Sequence, residues 1–294
     1  MIEIPLEVIL AYRRKTFRLT LDQRLKSQNE AVEFVNQRGF ILFWPIKGIN
    51  FPNLWSAVAG DRPVADAHDD PGHVTWGWKD ALLGSDAWYY AKVLRKKSTM
   101  IAMDALPYFY ALSRNYGSPE EDYLIAYEQG YLTQEAKAIY ETLLNQGALD
   151  TITLRKAARL SNRENESRFN KALADLQADF KILPIGVAQA GAWRYAFIYD
   201  IVTRHYPGII DQTRFIDERQ AYRLLTEKYI NSVGAAQVSD VTKLFGWSPD
   251  ETRHAVDHLV NNGNVCQGIR IENQSGEWII LRDLCPIETL DQRS

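Results

Sequence analysis

Cysteine is nearly absent: the chain of 294 residues has two, Cys266 and Cys285. They lack CxxC spacing, which excludes a zinc ribbon, argues against a disulfide framework and fits a reducing cytoplasm. Histidine is scarce at five residues, so no Cys/His cluster offers a tetrahedral ligand set, and neither a metal nor another cofactor is expected. No apolar run approaches the roughly 20 residues that a membrane span needs. The sequence also enters AYRRKTFRLTLDQR without an early apolar stretch of signal-peptide type. Charge of one sign is missing too, since 34 Lys and Arg face 37 Asp and Glu for a net charge of −3. A strongly basic nucleic-acid binder is therefore excluded, but not a protein with one basic face.

What is present is an approximate repeat. TQEAKAIYETLLNQG (133–147) predicts a helix closed by Gly147, and TLRKAARL (153–160) a short second helix capped by Thr151 or Thr153. ENESRFNKALADLQADF (164–180) predicts a longer amphipathic helix, with Phe169, Leu173 and Leu176 on one face. KILPIG and WRYAFIYD follow as a hairpin. The order then recurs: ERQAYRLLTEKYINSVG (218–234), SDVTKLFG with Ser239 as N-cap, SPDETRHAVDHLVNNG with a capping box, then VCQGIRI and EWIILRD. Helix, short helix, longer helix, hairpin is the order of a winged helix-turn-helix. The expected architecture is α-rich α+β with tandem winged helices. Its segments are 1–117, a degenerate copy; 118–206, a winged helix after an acidic linker; and 207–294, a second one. In the first segment Asp104 is the expected N-cap of a helix over 104–117, and WYYAKVLRKKSTMIAM predicts a strand pair.

Residues 68–80 read HDDPGHVTWGWKD, a dense group of acids, histidines and tryptophans. Asp69-Asp70-Pro71-Gly72 is a strong turn signal by itself. Trp76 and Trp78, two apart, would share a face of an extended strand, as a stacking wall or as core. His68 and His73 are spaced H-x4-H, which is not a metal-ligand spacing. The segment supplies candidate carboxylates for base excision, Asp69, Asp70 and Asp80. It also supplies pocket residues, Trp76, Trp78, His68 and His73, with Trp44 nearby.

The stretches RGFILFWPI…NLWSAVAG, VLRKKSTMIAMDALPYFYALSRNYG, YLTQEAKAIYETLLNQGALDTITLRKAARL and SRFNKALADLQADFKILPIG resemble the AlkZ/YcaQ-type winged-helix DNA glycosylases over roughly residues 10–282. The resemblance implies tandem winged helices, double-stranded DNA as partner, and excision of alkylated or crosslinked bases. It places the family's catalytic Gln-x-Gln or Gln-x-Asp at Leu42 and Trp44, neither of which can orient water. It also puts Ile101, in KSTMI, where relatives carry the histidine of R-G-T-L-H. The expected function is thus DNA binding, with excision through a relocated carboxylate or with the fold kept for binding alone. Phosphate contacts are expected from Arg13, Arg14 and Lys15, from Lys92, Arg95, Lys96 and Lys97, and from Arg163, Arg168 and Lys171. The second copy carries Asp250, Glu251, Asp257 and His258 on the equivalent helix, so internal packing or a protein partner is expected there.

Overall fold

A computed structural model describes residues 3–285 apart from Trp193. They form two compact units: one combines residues up to Thr75 with those from Glu218 onward, and the other is Trp76–Asp217. The second unit is an insertion in the first. The three segments read from the sequence follow the repeat and are a different division of the chain.

The discontinuous unit opens with β1 (Glu3–Ile4), α1 (Leu6–Thr16), α2 (Gln28–Arg38), β2 (Phe40–Leu42) and α3 (Leu54–Ala59). Ser27 and Asn53 cap α2 and α3 by accepting the amides of Glu30 and Ser56. Helix α4 (Val74–Ala81) crosses the sequence boundary between the units.

The inserted unit continues with a hairpin of β3 (Tyr89–Lys92) and β4 (Ser98–Ile101), then α5 (Leu106–Ala111), α6 (Pro119–Glu128) and α7 (Gln134–Gln146). It goes on through β5 (Leu149–Asp150), α8 (Thr151–Ala157), α9 (Glu166–Ala178), β6 (Ile182–Ala188) and β7 (Ala196–Ile201), and ends with α10 (Val202–His205) and α11 (Ile209–Thr213). The strands order as β5-β7-β6. Phe169, Leu173 and Leu176 of α9 pack with Ile139, Tyr140 and Leu143 of α7 and with Leu154 in one buried core. That burial is what the spacing of apolar residues on α9 encodes.

Returning to the first unit, the chain forms α12 (Glu218–Val233), β8 (Ala235–Ala236), α13 (Val238–Phe245), α14 (Pro249–Asn261), β9 (Val265–Ile271) and β10 (Trp278–Leu281). The sheet order is β1-β9-β10-β8, with β1 parallel to β9 and Ile4 opposite Ile271.

Local physics moves several expected boundaries. Asp150, not a threonine, caps α8, its carboxylate accepting from the amides of Ile152 and Thr153; the Thr151 hydroxyl donates to Phe197 O instead. The cap of α13 is Gln237, paired with Asp240 in a capping box, so Ser239 lies inside the helix. Residues 118–130 are not a linker. Pro119 and the acids Glu120, Glu121 and Asp122 fill the first turn of α6, where proline and negative charge both favour a helix start. Buried Asp122 also accepts the amides of Tyr116, Gly117 and Ser118. The N-cap of α5 is Ala105, one residue after the expected Asp104. The two cysteines, whose spacing argued against a disulfide framework, are joined as Cys266–Cys285, so they no longer argue for a reducing compartment. The hairpin strand expected to start at Trp193 begins at Ala196, and Trp193 itself lies outside the described residues.

Between β3 and β4 the chain reverses through Leu94-Arg95-Lys96-Lys97. The Lys97 amide donates to Leu94 O at 2.9 Å, and Arg95 and Lys96 both hold φ at 55°. This left-handed pair is the conformation of a type I′ turn, which favours Asn-Gly.

Candidate functional site

The segment 68–80 is split between two settings. In the discontinuous unit, Pro71-Gly72-His73 forms a single 3-10 turn capped by Asp70. Asp70 accepts both oxygens' worth of contact from the Arg62 guanidinium, at 2.7 and 2.6 Å, and the Gly72 amide at 2.7 Å. The hydrogen bonds from Arg62 lead in holding its carboxyl below the usual carboxylate range, with the Gly72 amide adding to them. Both oxygens are committed, so Asp70 is a turn clamp rather than a base. A side chain at Gly72 would meet Trp55 Nε1 at 2.6 Å, so this turn admits only glycine. Trp44 stacks on Trp55 with centroids 6.0 Å apart, and the His73 ring meets Trp44 edge-on at 5.7 Å. Leu42 is fully buried in β2, its amide donating to Pro52 O. Positions 42 and 44 thus form an apolar and aromatic wall. His68 and Asp69 are exposed and form no hydrogen bond or ion pair among the described residues.

The inserted unit holds the other end of the segment, and here the expectation of an extended strand fails. Trp76 and Trp78 lie on helix α4, where residues two apart diverge. Trp76 is 40% exposed, while Trp78 is half-buried. The helix instead buries Lys79, whose exposure is 0%. Its ammonium pairs with Asp80 Oδ1 at 2.5 Å and donates to the Tyr195 hydroxyl at 2.8 Å; that hydroxyl donates to the same Asp80 oxygen at 2.9 Å. Among the described residues four rings face the charge: Trp76 at 4.7 Å, Tyr90 at 5.4 Å, Tyr195 at 5.6 Å and Phe197 at 4.6 Å from Nζ. Such faces attract a desolvated cation. Burial still lowers the Lys79 pKa, against the pull of Asp80. Burial, with Asp80 next, pushes the Tyr195 phenol well up, so it remains a donor. Asp80 Oδ1 is therefore anchored twice, and the Asp80 side chain keeps 28% exposure. A carboxylate fixed by one oxygen and partly exposed can hold a water.

Sequence reasoning named Asp80 but missed Lys79, Tyr195, Tyr90 and Phe197. The usable signal was a lysine inside an aromatic helix turn, where a solvated charge is out of place.

The basic residues divide by what they touch. Arg13 is consumed internally, its guanidinium donating to the carbonyls of Val233 and Ala235, which corrects its assignment to DNA. Arg14 pairs with Glu7 at 2.5 Å, and Lys15 is exposed. At the hairpin, Lys96 pairs with Asp175, while Lys92, Arg95 and Lys97 are exposed. Around α8 and α9, Lys156, Arg159, Arg163 and Lys171 are exposed and form no ion pair among the described residues. Arg168 lies 3.7 Å from Glu135.

A family model described as AlkZ related matches residues 25–246. The chain belongs to the AlkZ-related family. The resemblance read from the sequence holds at that level, and membership makes this a relative of DNA-repair proteins. Among solved structures the chain is similar to Streptomyces sahachiroi DNA glycosylase AlkZ, with a TM-score of 0.60 and 11% identity. The match covers 100% of this chain and 73% of that one, and at such identity it speaks to the fold. None of the curated proteins matches. Within this AlkZ-related chain, the positions that the resemblance aligns with a catalytic pair are the wall residues Leu42 and Trp44. Ile101, at the aligned histidine, is fully buried in β4. Among the described residues no group of three or more His, Cys, Asp or Glu stands together to hold a metal ion, and no helix is long and apolar enough to cross a membrane.

Proposed function

We propose that this AlkZ-related protein binds double-stranded DNA through tandem winged helices, and that Asp80 carries any base excision. The first winged helix is α7, β5, α8, α9 and the β6–β7 hairpin; the second is α12 through β10. The observation that carries the DNA reading is the set of unpaired cations, Lys156, Arg159, Arg163 and Lys171, around the helix that a winged helix presents to the major groove. Exposed arginines and lysines without carboxylate partners are free to meet phosphates. Asp80 supports the excision arm because it is anchored through Oδ1 yet partly exposed to water, beside the exposed Trp76, a surface on which a displaced base could stack.

A second reading, binding without excision, draws support from Leu42 and Trp44, which put no polar group at the aligned catalytic positions. One experiment separates the three outcomes. Affinity for a duplex is measured against salt, and release of free base is followed on an alkylated duplex. Arg163→Gln with Lys171→Gln should lower the slope of log affinity against log salt by about 2, or about 0.9 for each lost phosphate contact. Asp80→Asn should abolish base release while leaving binding intact. Release that survives Asp80→Asn rejects the excision arm, no release from the parent leaves the binder, and no salt-dependent binding rejects both.

A further inference from the structure

We infer a phosphate-binding site on the discontinuous unit, in the cavity of about 490 Å³ between α12 and α14. Arg219 and Arg223 stand four residues apart on α12, and His254 and His258 four apart on α14, so each pair shares a helix face. All four line this cavity. Neither arginine has a carboxylate within ion-pair distance among the described residues, which contrasts with Arg14, Arg62 and Arg204. Two acids also line the cavity. Glu251 is committed elsewhere: it accepts the Ser248 amide at 2.8 Å and the Tyr222 hydroxyl at 3.0 Å, and the Ser248 amide leads in holding its carboxyl below the usual range. Glu218 sits in the first turn of α12, where the helix dipole favours it.

The lining thus sets two planar guanidiniums and two imidazoles against Glu218 and the hydrogen-bonded Glu251, and among the described residues neither arginine is paired with either acid. Guanidinium forks match tetrahedral oxyanions in charge and geometry. The occupant is a phosphate group, from either a DNA backbone or a small phosphorylated ligand. This differs from the sequence expectation of internal packing or a protein partner at α14. Asp250 and Asp257 do not line the cavity, and Glu251 is occupied.

The test is calorimetric titration of the full chain with inorganic phosphate at fixed ionic strength. Saturable binding is expected, weakened about tenfold or more by Arg219→Gln with Arg223→Gln, since charge-assisted hydrogen bonds are lost. His254→Gln with His258→Gln should weaken it less. Arg253→Gln, on the same helix but already paired with Asp250 at 2.9 Å, should leave it unchanged and controls for general charge. No saturable binding, or equal binding by the double arginine variant, overturns the site. Addition of duplex DNA then identifies the source: displacement of phosphate assigns the site to the DNA backbone, and undisturbed phosphate assigns it to a small ligand.

Discussion

The inserted unit buries two lysines, and it treats them in opposite ways. Lys181, at 1% side-chain exposure, gives its protons to oxygen: Arg114 O at 3.0 Å, Asn115 Oδ1 at 2.9 Å and Asp179 at 3.5 Å. Lys79 meets, among the described residues, the Asp80 carboxylate, the Tyr195 phenol and the faces of Trp76, Tyr90, Tyr195 and Phe197. The first is a closed polar knot that ties β6 to the segment after α5. The second is roofed by Trp76 and Tyr195, which are 40% and 37% exposed. Burial lowers the pKa of both ammonium groups. A buried charge whose every proton meets an oxygen is a structural fastening. One held by aromatic faces under an exposed roof has a surface that a ligand can reach.

The sharpest break of this comparison is Lys181→Met. It leaves two carbonyl oxygens without their donor and takes from Asp179 one of its two cations, Arg114 remaining at 3.6 Å, and the unfolding free energy should fall by about 3–5 kcal/mol in urea titrations. Lys79→Met should cost about 1–2 kcal/mol, because methionine sits well among aromatic rings and Asp80 is partly solvated. If Lys79→Met proves the more damaging, the distinction between knot and cage is wrong. Titration then sharpens it. Each folded lysine has a pKa below that of the unfolded chain, so between the two values the unfolded state holds more protons. Stability contributed by the lysine therefore rises as pH climbs through the folded value toward about 10.5. The gap between parent and Lys79→Met should widen over that interval, and a constant gap would contradict a lowered pKa.

The smallest effect belongs to the turn clamp outside this unit. Asp70→Asn should weaken the 3-10 turn modestly at neutral pH. Asp70 has a lowered folded pKa, so its contribution is present above the unfolded value, about 3.9, and is lost as pH falls through the folded one. The difference in urea midpoint between parent and variant should close in acid.

Much of the fold was readable because it rests on short-range rules. Gly147 ends α7 at a positive φ of 83°, Ser248 and Glu251 form their capping box, and the apolar positions of α9 enter the core. The failures share one cause, that a partner distant in sequence decides the outcome. Trp76 and Trp78 fit strand spacing, but Lys79, the next residue, is drawn into a cage built with Tyr90, Tyr195 and Phe197, and the segment is helical. Arg13 looked like a phosphate contact because nothing local announces the carbonyls of Val233 and Ala235. The Asp69-Asp70-Pro71-Gly72 turn was legible as chemistry, although its arginine partner was not.

The insertion of one unit within the other has a consequence for synthesis. Strand β1 pairs with β9 and α1 packs against α12, so residues 3–75 emerge long before the segments that complete their unit. At ~5–20 residues per second, the stretch from 218 to 285 takes roughly 3–14 s to make, during which the inserted unit already has every residue of its core. The order of birth on the ribosome is then the reverse of the order of the sequence: the middle matures first and the beginning waits. Nascent chains arrested with Asp217 just outside the tunnel should protect α7–α9 from protease and leave α1 and α2 open to it.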